Sequence, residues 1–273
     1  KFNIKEPFKG LFTQGMVCHE TYKDDANNWV SPDEIISKDG KKFLKKDNAK
    51  IIKVGPSESM SKSKKNTIDP ENIINSYGAD AVRLFILSDS PPEKDVQWSE
   101  EGIVASYKFI QKLWSLNTRI IEEANKDHSE DIGTELTSYT NKFIKKMTNN
   151  LENFHYNVII ANLHEMHSFL VKEINNRYQK KTILENYKKI LITIMPILPH
   201  LSNECLEVIA ENNKIVWPNY DEILTKDEVN KIVIQINGKK RGLIDAEPNL
   251  NEEELMKLVN IDNNLTKYLL DKK

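Results

Sequence analysis

Cysteine is almost absent. The chain of 273 residues holds two, Cys18 and Cys205, far apart and in neither a CxxC pair nor a series of paired spacings. That argues against a disulfide-stapled domain and favours a reducing compartment. No apolar run approaches the ~20 residues needed to span a bilayer, and the opening residues lack a signal-peptide pattern. A soluble, cytoplasmic protein is the expectation. Lys1-Phe2-Asn3 is not a natural start, so the chain is expected to begin inside a longer protein. Glycine is sparse at 9 residues, and the composition rich in lysine and asparagine points to no chemistry of its own. No charge sign dominates, with 39 basic against 41 acidic residues and a net charge of −2. What remains is an ordinary globular composition, 39% hydrophobic and 29% charged, on a length that suits two or three compact units.

The balance of charge is uneven along the chain. From Lys38 to Lys65 ten lysines face Asp39, Asp47 and Glu58, a local excess of +7 that leaves about −9 elsewhere. Inside that window lies Met60-Ser61-Lys62-Ser63-Lys64, after a Gly55-Pro56 break and before the helix start Asp69-Pro70-Glu71. Two ammonium groups and two hydroxyls on one short loop can close over a polyphosphate and neutralise charge as it builds. An isolated pentapeptide of this kind reads as solvated surface. The concentration of positive charge around it favours a phosphate-bearing partner.

Helix grammar is clear after the loop. Asp69 is a cap, Pro70 fits the first helical position, and Gly78 closes the helix. Asp80 is read as the cap of the next helix, which Pro91-Pro92 stops, and Ser99 as the cap of a long one with Glu100 and Glu101 in its first turn. Ile103, Tyr107, Ile110, Trp114 and Ile121 form the expected apolar stripe of that helix. Three more amphipathic segments follow, marked by Leu136 to Phe154, by Val158 to Ile174 after the cap candidate Asn157, and by Leu184 to Leu198. A short helix from Ser202 to Ala210 comes next. Short polar linkers between such segments predict an antiparallel helical bundle. Before the loop, residues 20–54 carry turn signals and short alternating pieces, which suggests a small β-rich insertion. Near the end, Lys231 to Ile236 reads as a strand, Asn237-Gly238 as a hairpin turn and Glu252 to Val259 as a helix start.

An ordered run carries a resemblance. Gly55 through Asn66, Asp69-Pro70, Tyr77-Gly78-Ala79-Asp80 and Arg83-Leu84-Phe85 are similar to class I aminoacyl-tRNA synthetases, whose KMSKS signature the loop resembles. Ser90-Pro91-Pro92-Glu93-Lys94-Asp95 and Trp98-Ser99-Glu100-Glu101-Gly102 narrow the likeness to the leucine–tRNA ligase family. The resemblance implies a mainly α chain with small α/β parts. Residues 1–98 would end a Rossmann-type catalytic domain, with a compact leucine-specific-type insertion at about 20–54 and the loop at 59–63. Residues 99–217 would form the anticodon-binding-type bundle, with Pro199-His200 and Glu204 resembling its final helix. Residues 228–273 would begin a small α+β C-terminal domain, which looks truncated.

The resemblance also implies roles. Lys62 would be the catalytic cation, and Ser59, Met60, Ser61, Lys62, Ser63 and Lys64 would bind ATP. Ser59 departs from the pattern, standing where the family usually has lysine, so one phosphate contact is missing or Lys64 supplies it. Lys239, Lys240 and Arg241 would touch tRNA phosphates. The intact enzyme would use ATP and Mg²⁺, leucine and tRNA(Leu), as a monomer with no membrane or bound zinc. No His-x-Gly-His occurs among the 6 histidines, so the other half of the family's ATP site is missing, as are the leucine pocket and editing domain. A fragment of this kind is expected to be inactive alone.

Rival readings stand beside this one. His164-Glu165-Met166-His167 invites zinc, but its histidines are three apart rather than four and have no third ligand in sequence reach. Trp98 and Trp114 sit at helical spacing and read as core, not as base-stacking platforms. An isoleucine, valine or methionine enzyme is the rival within the class, and a non-catalytic tRNA-binding module with a relic loop is the rival outside it.

Overall fold

A computed structural model describes residues 5–126, 133–176, 178–209, 215–226, 230–236, 238–246, 250–261 and Leu265. The chain divides into two compact units, residues 1–220 and 221–273. The described residues are rich in helix.

The first unit opens with strand β1 (Val17–Lys23), followed by β2 (Ile35–Lys38), β3 (Lys41–Leu44), β4 (Asp47–Ile51) and β5 (Lys53–Ser59). Two sheets result, and they are distinct. β2, β3 and β4 form an antiparallel meander of their own. β1 instead pairs antiparallel with β5, Cys18 opposite Ser59 and His19 opposite Glu58. On its other edge β1 runs parallel to the two-residue strand β6 (Val96–Gln97). The meander is thus inserted between two strands that belong to the loop-bearing sheet. Tyr22, Val30 and Ile52 form a small core where meander and sheet meet, with Ile35 and Leu44 against it. Lys42 reinforces the junction, 3.5 Å from a Glu20 carboxylate oxygen and 3.2 Å from the Tyr22 hydroxyl.

Beyond the loop, α1 (Pro70–Tyr77) begins as its sequence predicts: the Asp69 carboxylate accepts from the Glu71 amide and Pro70 occupies the first turn. Gly78 ends it at φ +83°, a backbone setting that favours glycine. Helix α2 (Ala79–Ser88) follows directly. Here the sequence reading needs correction. Gly78 occupies the cap position of α2, and Asp80 lies inside the first turn. Its carboxylate reaches 120 residues along the chain to cap α7 (Pro199–Ile209), accepting from the amides of Leu201 at 2.8 Å and His200 at 3.4 Å. The His200 ring Nδ1 lies 2.9 Å away. Arg83, one turn along α2, donates to the carbonyls of Ile197 at 3.1 Å and Pro196 at 2.6 Å. Two charged residues therefore anchor α2 to the turn that precedes α7.

The bundle comprises α2, α7 and four longer helices: α3 (Glu100–Ala124), α4 (Thr134–Glu152), α5 (Tyr156–Glu173) and α6 (Lys180–Ile194). Ser99 caps α3 through the Gly102 amide, as expected. The stripe on α3 is rotated from the predicted one. The buried face is Ile103, Ser106, Phe109, Leu113, Leu116, Asn117 and Ile120, while Trp114 is 46% exposed and is not core. Ser106 and Asn117 explain the error, because two polar residues interrupt the true seam and disguise it. On α5, Val158 and Ala161 also face solvent, and the helix starts at Tyr156 with His155 rather than Asn157 before it. Phe154, read as the last apolar position of the preceding segment, lies beyond α4 and is exposed. One continuous core joins the helices, built on side chains such as Met147, Leu163, Met166 and Ile190. Leu84 of α2 belongs to it, while Phe85 of the same helix joins Val96 and Ile103 in a separate smaller cluster, against which Ile73 and Tyr77 of α1 pack.

The second unit holds a two-stranded antiparallel hairpin, β7 (Asn230–Ile236) and β8 (Lys239–Ala246), and α8 (Glu252–Ile261). Ile244, Val259 and Leu265 form its core. Gly238 has φ +73°, which suits the hairpin turn; Asn237, the other half of the turn signal, lies outside the described residues, as does Ala210.

Candidate functional site

Met60 to Lys64 hang between the end of β5 and the start of α1. Their anchor is β1. The Met60 amide donates to the Val17 carbonyl at 3.1 Å, extending the β1–β5 pairing into the first residue of the loop. The chain then turns tightly. The Ser61 and Ser63 hydroxyls lie 3.3 Å apart, the Lys64 amide reaches the Ser61 hydroxyl at 3.4 Å, and the Lys65 amide reaches the Lys62 carbonyl at 3.3 Å.

The two lysines differ in kind. Lys62 is exposed and has no ion-pair or hydrogen-bond partner for its ammonium among the described residues. Lys64 is half-buried and forms a salt bridge with Glu58, on the strand that enters the loop. A lysine already matched to a carboxylate offers an incoming phosphate less than an unmatched one. Ser59, where a lysine is usual in the resembled signature, sits exposed at the end of β5.

Asn66 was quoted in the resemblance run without a role. It is fully buried, at 0% exposure, and every polar atom of its side chain is engaged. Its Oδ1 accepts from the Ser61 amide at 2.8 Å. Its Nδ2 faces the carbonyls of Glu58 at 3.1 Å, His19 at 3.3 Å and Ser59 at 3.4 Å. The signal in sequence was an asparagine directly after a basic loop; its partners, up to 47 residues away, were not readable. His19, on the neighbouring strand, has its imidazole pKa lowered from the ordinary value, chiefly by burial.

The loop offers ammonium, hydroxyl and amide donors, so it fits phosphate oxygens. It does not fit a metal ion. Among the described residues no group of three or more histidine, cysteine, aspartate or glutamate side chains could hold one. His164 and His167 lie beside Phe109, ring centroids 3.9 and 5.9 Å away, with pKa values lowered chiefly by burial and then by Lys112. Both cysteines are free, Cys205 buried and Cys18 partly so. Lys239, Lys240 and Arg241 are exposed at the start of β8, in the second unit. No helix among the described residues is long and apolar enough to cross a membrane.

Comparison with known proteins bears on both segments. Residues 49–99 match the family of class I tRNA synthetases for isoleucine, leucine, methionine and valine. Residues 133–256 match the anticodon-binding domain of tRNA ligases. Both segments are thus similar to parts of tRNA synthetases, the first to those of class I.

Longer relatives narrow the likeness. A leucine–tRNA ligase of Bartonella tribocorum is 39% identical and one of Wolbachia pipientis subsp. Culex pipiens 41% identical, each alignment covering 94% of this chain and 31% of the relative. The chain is homologous to leucine–tRNA ligases over nearly its whole length and spans about a third of the length of these relatives. The fold agrees with a solved structure of an Agrobacterium radiobacter K84 LeuRS in ternary complex with tRNA and LeuAMS. That likeness has a TM-score of 0.63 at 24% identity and covers 79% of this chain and 29% of the other.

Proposed function

We propose that this chain is the C-terminal part of an enzyme that activates leucine with ATP and transfers it to tRNA(Leu). The single observation that carries the reading is Lys62, an exposed and unmatched ammonium on a loop anchored at both ends. As the carboxylate of leucine attacks the α-phosphorus, the bond to pyrophosphate breaks and negative charge grows on the phosphate oxygens. Lys62 stabilises that charge, and the hydroxyls of Ser61 and Ser63 donate to it. Ser59, Met60 and Lys64 complete the ATP-binding segment, with Lys64 the weaker contributor because Glu58 shares its charge. Mg²⁺ would be held by the phosphates of ATP, with no cluster of acidic, histidine or cysteine ligands for it among the described residues.

The domain reading follows the same line. Residues 1–98 end a Rossmann-type catalytic domain and carry the compact insertion near 20–54. Residues 99–217 are the anticodon-binding-type bundle, and 228–273 the start of a tRNA-binding domain whose contacts are Lys239, Lys240 and Arg241. The protein works as a cytoplasmic monomer, and this segment alone lacks the residues to activate leucine.

The test is Lys62→Ala in the whole protein, read by leucine-dependent ATP–pyrophosphate exchange. Loss of one charge-stabilising donor lowers such rates by about 10²–10³, or roughly 3–4 kcal/mol on the barrier. A rate within about threefold of wild type, well under ~1 kcal/mol, removes Lys62 from the chemistry.

A further inference from the structure

A fully buried asparagine is expensive unless each of its polar atoms finds a partner. Asn66 finds four backbone partners, and they come from three places. The Ser61 amide belongs to the loop, the Glu58 and Ser59 carbonyls to the end of β5, and the His19 carbonyl to β1. One side chain thus ties the first turn of the loop to both strands beneath it. The residue just before it, Lys65, has φ +53°, a left-handed setting that a lysine adopts only where neighbours enforce it. The bonds of Asn66 hold the chain on one side of it, and the bond from the Lys65 amide to the Lys62 carbonyl holds it on the other. They close residues 61–66 into a bracket, from whose outer edge Lys62 projects into solvent. The backbone amides of Lys62 and Ser63 have no hydrogen-bond partner among the described residues, so the rim of the bracket stays open toward a ligand while its base is pinned.

We propose that Asn66 is the positioning residue of the loop: it does not touch ATP but fixes where the Lys62 ammonium stands relative to the triphosphate. The inference rests on the phosphate-stabilising role of Lys62. A residue that acts through another leaves a kinetic signature, because once the second is gone the first has nothing left to position. A pinned loop is also a matter of geometry in the transition state, so its loss falls on kcat rather than on the KM for leucine.

The experiment compares the whole protein as wild type, Lys62→Ala, Asn66→Ala and the double variant in ATP–pyrophosphate exchange. Asn66→Ala is expected to lower kcat at least tenfold and leave the KM for leucine unchanged. The double variant is expected to be no more than about threefold slower than Lys62→Ala alone. Multiplying losses overturn the proposal, as does Asn66→Ala running at the wild-type rate while Lys62→Ala is slow. A wild-type rate in Lys62→Ala itself is a different result: it removes the role of Lys62, and the positioning role falls with it. If Asn66→Ala does not fold, hydrogen exchange in the wild-type protein decides. The Ser61 amide should exchange much more slowly than those of Lys62 and Ser63, and equal rates mean that Asn66 does not hold the loop.

Discussion

The bundle and the signature loop are held together by opposite means. In the bundle, one continuous apolar core spreads the work over many side chains from α2 to α7, and no single one determines any chemistry. In the loop almost nothing apolar is buried. Its shape depends on one asparagine, one ion pair and a few backbone bonds. The bundle is robust because its contacts are redundant, and the loop is exact because its contacts are not. Substitution in the first should therefore cost stability and spare turnover, while loss of the exposed Lys62 in the second should do the reverse.

The largest effect sharpens that contrast. Lys62→Ala is expected to reduce exchange by about 10²–10³ and leave the melting temperature where it was, because an exposed lysine with no partner among the described residues contributes little to folding. Its counterpart is Leu163→Ala, at a core position with 0% exposure, which should cost about 3 kcal/mol of stability through lost burial and the cavity left behind. Denaturant unfolding and exchange rates measured on both variants check the pair. Equal damage to rate and stability in either one would erase the distinction.

Asp80→Ala comes next, at about 2 kcal/mol, because it strips a buried carboxylate from the first amides of α7 and leaves them unpaired. Unfolding midpoints report it, and an unchanged midpoint would show that the Asp80 cap adds nothing to the Arg83 contacts and the packing that hold α2. The smallest effect belongs to the second unit. Replacing Lys239, Lys240 and Arg241 together with alanine should weaken tRNA binding several-fold and flatten its salt dependence by up to about 0.7–0.9 per lost phosphate contact. Leucine activation should not change. An unaltered salt slope would leave the cluster as a solvated turn.

How much of this was legible in the sequence depends on the distance between partners. The starts of α1 and α3 were readable because a cap and its amide lie two or three residues apart, as at Asp69 and Ser99. Asp80 looked like a cap and is one, but of a helix 120 residues away that no local pattern could indicate. The buried face of α3 was misread because Ser106 and Asn117 lie within it and Trp114 does not. At the loop, composition and the family likeness drew attention to residues 59–64. The likeness set Lys62 apart as the catalytic cation but did not give the reason Lys64 is the weaker donor, since its Glu58 pairing depends on how the strand enters the turn. Asn66 was passed over for the same reason, as all four of its partners are backbone groups and carry no sequence signal.

The central claim is that these residues supply one side of an ATP site for leucine and leave the other to the remainder of a longer chain. ATP–pyrophosphate exchange measures it most directly, run with leucine, isoleucine, valine and methionine on the whole protein and on residues 1–273 alone. The expected result is exchange by the whole protein that depends on leucine, and none by the segment, because positioning from a single side of the nucleotide is not enough. Exchange driven by one of the other three amino acids, or leucine-dependent exchange by the segment alone, would contradict it.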